Sequence, residues 1–256
     1  MKSLEESVVS AMDGKDQAIL PFLPYLLQDF WEIGSDPEII TEFIRKHWEG
    51  EQPPKVLDLG CGKGAVSVIV SKNLGALCFG LDAISEFISY AEEKAEEHGV
   101  RDRCAFTIGD MRDERHYPGV FDVIILGATG PVLGNYHQTF MKLKPHLSEN
   151  GLVIVDDAYT EDETNASEGF ILSKNQLDKQ VSDAGMTLID ERVAGAETAE
   201  QYDVELGHLE RRGRELISRY PDKAAIIQDY LDTQKVEYQN LKTEMVCSTM
   251  VFRRGA

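Results

Sequence analysis

Lys55-Val56-Leu57-Asp58-Leu59-Gly60-Cys61-Gly62-Lys63-Gly64 runs from a short apolar strand straight into three glycines spaced two apart. Glycines at such a bend let the backbone turn tightly and bring a ligand close to the start of the following helix. The residues satisfy two patterns. One is G-x-G-x-x-A, a dinucleotide pattern, through Gly60, Gly62 and Ala65; the other is D-x-G-x-G-x-G, with Asp58 two residues before Gly60. A carboxylate at the strand end would repel a pyrophosphate but suits a ligand that carries an ammonium and a sulfonium.

Outward from this loop, apolar runs alternate with amphipathic stretches from about residue 55 to residue 193. Strands are expected at Lys55–Leu59, Leu77–Leu81, Cys104–Ile108, Phe121–Leu126, Leu152–Val155 and Thr187–Val193, several of them nearly continuous apolar runs of the kind buried on both faces. Helical patterns lie between them at Ala83 to His98, Tyr136 to Leu147 and Lys174 to Ala184. The alternation predicts an α/β fold, a mostly parallel sheet with helices on both faces. Asp82 closes the second strand, placed for ribose hydroxyls under either pattern, and Asp110 closes the third, where an acid can accept from an adenine amino group.

With these residues in place the chain resembles the class I S-adenosylmethionine-dependent methyltransferases over roughly residues 50–195 plus the last strand. It looks closest to their small-molecule, ubiquinone/menaquinone-biosynthesis-like group. The resemblance implies S-adenosyl-L-methionine as cofactor and a Rossmann-like seven-stranded sheet whose last strand, Val246 to Arg253, is antiparallel. It also implies that Asp58, Gly60, Cys61, Gly62 and Gly64 meet the methionine and ribose end of the cofactor. Asp82 with Ala83 would hold the ribose, Asp110 with Met111 would frame the adenine, and Gly127 would close the fourth strand near the methionine end.

Catalytic residues are less sharply marked, because a sulfonium donor arrives already activated and orientation supplies much of the rate. A base is needed only for an acceptor that must lose a proton. The candidates are Asp156 and Asp157, which follow the fifth strand, and Tyr136 and His137, near the start of the next helix after the fourth. Paired acids suit a divalent cation, as in catechol-type relatives, but those need another acid where this chain has Gly127, so no metal site is expected. Gly127-Ala128-Thr129-Gly130-Pro131-Val132 departs from the [D/N]-P-P-[Y/F] motif of relatives that methylate DNA bases or protein glutamine. From Asp156 to Glu168 there are six acids and no Lys or Arg, which slightly favours an amine acceptor.

Two regions lie outside the alternation. Residues 1–50 read as an N-terminal cap of two or three helices, the last with Ser35 and Asp36 as cap candidates, Pro37 near its first turn and an apolar face of Ile40, Phe43 and Ile44. Residues 51–195 form the expected cofactor-binding core. Residues 196–244 read as a helical hairpin inserted as a lid, and residues 245–256 return to the core. In the hairpin Tyr202, Tyr220, Tyr230 and Tyr238 fall at helical spacing, more in keeping with core than with a pocket lining.

The 256 residues include 26 Lys plus Arg against 45 Asp plus Glu, a net charge of −19. A phosphate backbone would meet net repulsion, and Arg211-Arg212-Gly213-Arg214 is flanked by Glu210 and Glu215, so neither nucleic acid nor an anionic membrane is an expected partner. Four scattered cysteines and an N-terminus without the pattern of a signal peptide point to a reduced, cytoplasmic protein, monomer or homodimer. Two rivals are an NAD-dependent oxidoreductase, through G-x-G-x-x-A and Asp82, and a non-catalytic S-adenosylmethionine-binding protein.

Overall fold

The structure, a computed structural model, describes residues 2–117, 119–161 and 171–255. Its strands are β1 (Lys55–Leu59), β2 (Leu77–Asp82), β3 (Cys104–Ile108), β4 (Phe121–Gly127), β5 (Leu147–Thr160), β6 (Leu172–Ser173), β7 (Met186–Val193) and β8 (Val246–Arg254). They form one sheet in the order β3-β2-β1-β4-β5-β8-β7, with β6 paired to the end of β5. The count is eight where seven were expected. The extra strand is the two-residue β6, parallel to Tyr159–Thr160 of β5.

Neighbours from β3 through β5 run parallel. β8 runs the other way: Ala194 donates to the Cys247 carbonyl at one end of the β7–β8 pair, and Gly255 donates to the Gly185 carbonyl at the other. Strand order reverses between β1 and β4, so a crevice opens beyond their carboxyl ends.

The helices are α1 (Leu4–Ala11), α2 (Leu23–Leu26), α3 (Pro37–His47), α4 (Ala65–Leu74), α5 (Ser85–Glu97), α6 (Tyr136–Leu143), α7 (Lys174–Asp183), α8 (Ala196–Arg219) and α9 (Ala224–Thr243). Successive strand residues face opposite sides of the sheet. Val56, Cys78, Cys104, Val123, Ile125, Leu152 and Ile154 therefore join Ile40, Phe43 and Ile44 of α3 and Val66, Val68 and Val70 of α4 in one core layer. On the opposite side Phe140 of α6 packs on Phe252 of β8, ring centroids 5.0 Å apart.

α3 shows how local chemistry sets an element. The Asp36 carboxylate accepts from the backbone N–H of Glu38 and Ile39, and Pro37 occupies the first turn. The cap is Asp36 and not Ser35. α6 stops earlier than expected because Pro145 cannot continue it, and Lys144–His146 forms a single 3-10 turn.

The chain divides into two compact units, one of residues up to Phe30 with Val193–Cys247, the other of Trp31–Arg192 with the residues from Ser248 onward. In the first, Arg212 grips Asp29 through Nη2 and Nε at 2.6 and 2.7 Å, and Tyr25 donates to Glu215 at 2.6 Å. The basic cluster read in the sequence is thus held in ion pairs, Arg211 and Arg212 with Asp29 and Arg214 with Glu210. Tyr230 is buried, and Tyr202 and Tyr238 meet edge to face at 5.5 Å. Tyr220 lies against Phe22 with 42% of its surface exposed.

Candidate functional site

The glycine loop leaves β1 with Gly60, Gly62 and Gly64 all in the left-handed region, at φ 72°, 51° and 76°. Left-handed backbone costs roughly 1–2 kcal/mol for a residue with a Cβ, so the pattern of glycines is set by the turn itself. The backbone N–H groups of Gly60 and Cys61 both reach the Leu81 carbonyl, and Gly64 caps α4. A Cβ on Gly60 would lie 2.5 Å from Thr129 Cγ2 and 3.0 Å from Met111 Cε, whereas a Cβ on Gly62 would meet only Ile33 Cδ1 at 3.8 Å. The face of Gly62 is therefore an open cradle into which a ligand can press. The Trp31 indole donates to the Lys63 carbonyl at 3.1 Å, and the buried Lys63 ammonium lies over the Tyr90 ring.

Asp82, the last residue of β2, closes one side of the cradle. Its Oδ2 accepts from Gly62 N–H and its Oδ1 from Ile84 N–H, each at 2.9 Å, with the Ala83 N–H adding to them. Burial still outweighs these donors and raises its pKa. Asp58 is placed differently. Only 2% exposed, it points behind the loop and accepts from the Ser67 hydroxyl of α4 at 2.6 Å. Burial pushes it up to about 6 against that hydrogen bond. A desolvated carboxylate loses several kcal/mol, more than one hydroxyl donor returns. Asp58 thus ties the loop to α4 from the rear. Cys61 packs in the same place, its thiol also pushed up by burial, with Sγ 2.9 Å from where a Cβ on Gly80 would stand.

Asp110 lies two residues beyond β3. It takes the Arg112 guanidinium in a two-pronged contact, Nε at 2.9 Å and Nη2 at 2.7 Å, which holds its carboxyl below the usual range. Met111 reaches back to Gly60. Gly127 ends β4, and a Cβ there would lie 2.5 Å from Ser35 Oγ. Ala128, next along, is held at φ 50° and donates to the Asp156 carbonyl.

Asp156 and Asp157 were expected after the fifth strand; they lie inside it, because β5 continues to Thr160. Strand alternation sends them to opposite faces, so the two cannot close on one cation. Asp157 goes to the α6 side, where Tyr136 donates to it at 2.9 Å and Ala158 N–H at 2.8 Å. Tyr136 packs against Phe140 and Phe252, and burial drives its phenol well above the ordinary value. Asp156 goes to the α3 side. Thr249 donates to its Oδ1 at 2.9 Å, and burial pushes it up to about 6. Its Oδ2 and the Ser35 hydroxyl are both buried without a hydrogen bond of good geometry. His137 is half-buried on α6. The acidic stretch beyond Glu161 falls on residues 162–170, outside those described. Among the described residues no three acids, histidines or cysteines are grouped to hold a metal.

Sequence reasoning missed Ser35, Ser67, Arg112 and Thr249. Ser35 was read as a cap candidate; Ser67 and Thr249 carry no local signal of the carboxylate each one meets, whereas Arg112, two residues after Asp110, could have been found from its spacing.

A loop of left-handed glycines, an acid ringed by backbone N–H groups at the next strand end and a sheet with one reversed strand together define the class I methyltransferase architecture. A model of the methyltransferase domain family matches residues 52–236, and the chain belongs to that family. Over 75 residues it is 31% identical to norajmaline N-methyltransferase of Rauvolfia serpentina, covering 29% of this chain and 26% of that one. Over 119 residues it is 28% identical to a ubiquinone biosynthesis O-methyltransferase of Rickettsia felis, covering 46% of this chain and 47% of the other. The chain thus spans from about a quarter to a half of the length of these relatives. A solved S-adenosylmethionine-dependent methyltransferase from Geobacter sulfurreducens, in complex with S-adenosylhomocysteine, shares the fold. Its TM-score is 0.73 at 19% identity, over 91% of this chain and 98% of that one.

Proposed function

We propose that this chain transfers a methyl group from S-adenosylmethionine to a small-molecule acceptor. The observation that carries the reading is the open cradle at Gly62 beside the buried Asp82 carboxylate, within a chain of the methyltransferase domain family. Bound there, the cofactor supplies an electrophilic methyl on a sulfonium. Gly60, Gly62 and Gly64 would let it approach the backbone, and Asp82 with Ala83 would hold its ribose. Asp110 and Met111 would frame its adenine, with Asp110 already oriented by Arg112. Gly127 would leave room at the methionine end. Asp58 and Cys61 would support the loop from behind.

We assign the base candidates unequally. Tyr136 and Asp157 satisfy each other in a buried pair, and a phenol held neutral by burial is a poor proton acceptor. Asp156, at the carboxyl end of the sheet and pushed up to about 6 by burial, is the base we favour; His137 is the reserve. The acidic net charge supports a small partner over a nucleic acid. No helix among the described residues is long and apolar enough to cross a membrane. We place the protein in the cytoplasm, as a monomer or homodimer.

Incubation with S-adenosylmethionine and a panel of small amines, phenols and carboxylates tests the reading, with S-adenosylhomocysteine as the measured product. Turnover that disappears in Asp82→Ala supports it. Tight cofactor binding with no turnover of any panel member would favour the non-catalytic reading.

A further inference from the structure

Residues 31–35, just ahead of the α3 cap, cross the carboxyl ends of β1 and β4 and meet the two loops there in turn. The Trp31 indole donates to the Lys63 carbonyl of the glycine loop at 3.1 Å. Ile33 faces Gly62, Gly34 lies against Ala128, and Ser35 stands beside Gly127. Gly34 has φ 83°, and a Cβ on it would lie 2.5 Å from the Ala128 Cβ, so glycine is what lets the segment rest on that loop. Trp31 is held from behind. Its ring packs on His98 with centroids 5.0 Å apart, and the Lys94 ammonium covers both it and Tyr90. Lys94 and His98 belong to the end of α5, so the indole reaches the loop from a fixed platform.

This arrangement decides what a bound ligand touches. At Gly60 and Gly64 the place of a Cβ is closed, by Thr129 at 2.5 Å and Ala91 at 2.6 Å. At Gly62 it is open, and an atom placed there stands 3.8 Å from Ile33 Cδ1, ordinary van der Waals contact. Ile33 is itself only half-buried and keeps surface for such a contact. We propose that Ile33 contacts the cofactor as the apolar wall opposite Gly62, and that Trp31 is the positioning residue, setting the separation of loop and wall through the Lys63 carbonyl. This rests on the methyltransferase reading and adds to it two residues that neither the glycine pattern nor the acids point to. A branched aliphatic side chain gains from covering the ligand's carbon atoms and leaves the hydroxyls to Asp82. Trp31 acts before the ligand arrives. With the Lys63 carbonyl tied, the loop is ordered in the empty protein, and its ordering does not count against binding.

The test is calorimetric titration of the full chain with S-adenosylhomocysteine, using the wild type, Ile33→Ala, Ile33→Leu and Trp31→Phe, with each ligand-free melting midpoint measured alongside. Phenylalanine keeps a ring on His98 and lacks the N–H. The expected Kd rises about tenfold in Ile33→Ala, returns close to the wild-type value in Ile33→Leu, and rises about fivefold in Trp31→Phe. Packing alone would lower the midpoint and leave Kd where it was, and that result in Ile33→Ala or in Trp31→Phe overturns the proposal. If Ile33→Ala does not fold, Ile33→Val takes its place, with a rise of about threefold expected and an unchanged Kd overturning the proposal. A wild type that does not bind S-adenosylhomocysteine refutes the methyltransferase reading itself, a result distinct from binding that is intact and indifferent to these changes.

Discussion

Gly60 carries two constraints at once, a φ of 72° and a neighbour that would stand 2.5 Å from any Cβ. Gly60→Ala incurs the left-handed cost of roughly 1–2 kcal/mol and pushes Thr129 toward the ligand. We predict that it lowers the melting midpoint through that backbone cost and weakens S-adenosylhomocysteine binding through the displaced Thr129; unchanged affinity by calorimetry would contradict the placement of the loop. The glycines were legible because the conformation they permit is a property of single residues. So was Asp82, at the end of an apolar run. The partners of the acids were not. Ser67 on α4 meets Asp58, Thr249 meets Asp156 across 93 positions of chain, and Ser35 meets Gly127 at the carboxyl end of β4. Such pairings exist only once the strands have been laid side by side. Asp58 shows the same limit: its place near a strand end is visible in sequence, whereas its burial against Ser67 follows from which helix packs there.

Elements with strong local signals came out close to expectation. β1 and β3 begin and end where the apolar runs do. β5 exceeds its apolar run at both ends. At its start an irregularity between Phe121 and Val123 of the partner strand absorbs the exposed Glu149 and Asn150, and at its far end the two acids are kept in the strand by buried partners. β6 was invisible, since two residues give no periodicity and its pairing depends on where β5 ends. α3 offers the clearest test at this scale. Asp36 satisfies two otherwise unpaired N–H groups, and its replacement by Ala removes an N-cap worth about 1 kcal/mol. A lowered melting midpoint is expected for Asp36→Ala, and little change for Asp36→Ser, which can cap in its place. Equal midpoints for all three proteins would contradict the cap.

At the scale of the whole molecule, the buried carboxylates set how stability follows pH. Asp58 and Asp156 are raised to about 6 in the folded state from an unfolded value near 3.9. The folded state therefore binds their protons more readily than the unfolded one, and stability rises as pH falls from 7 toward 4, by on the order of 2 kcal/mol for each. Asp29 and Asp190 shift the opposite way, to about 2, held by Arg212 and Lys46; their contribution is present above pH 4 and is lost below it. The melting midpoint is expected to peak near pH 4, where the two opposing slopes cancel, and a midpoint that climbs steadily from pH 5 to 8 would contradict these assignments. Function at this scale rests on one claim, that the cradle at Gly62 and Asp82 is built for S-adenosylmethionine. The most direct measurement is calorimetric titration of the wild type and of Asp82→Ala with S-adenosylhomocysteine and, separately, with NADH. Tight binding of S-adenosylhomocysteine that the variant loses, with no heat from NADH, is the predicted result. NADH binding in place of S-adenosylhomocysteine would contradict the account and make the glycine loop a dinucleotide site.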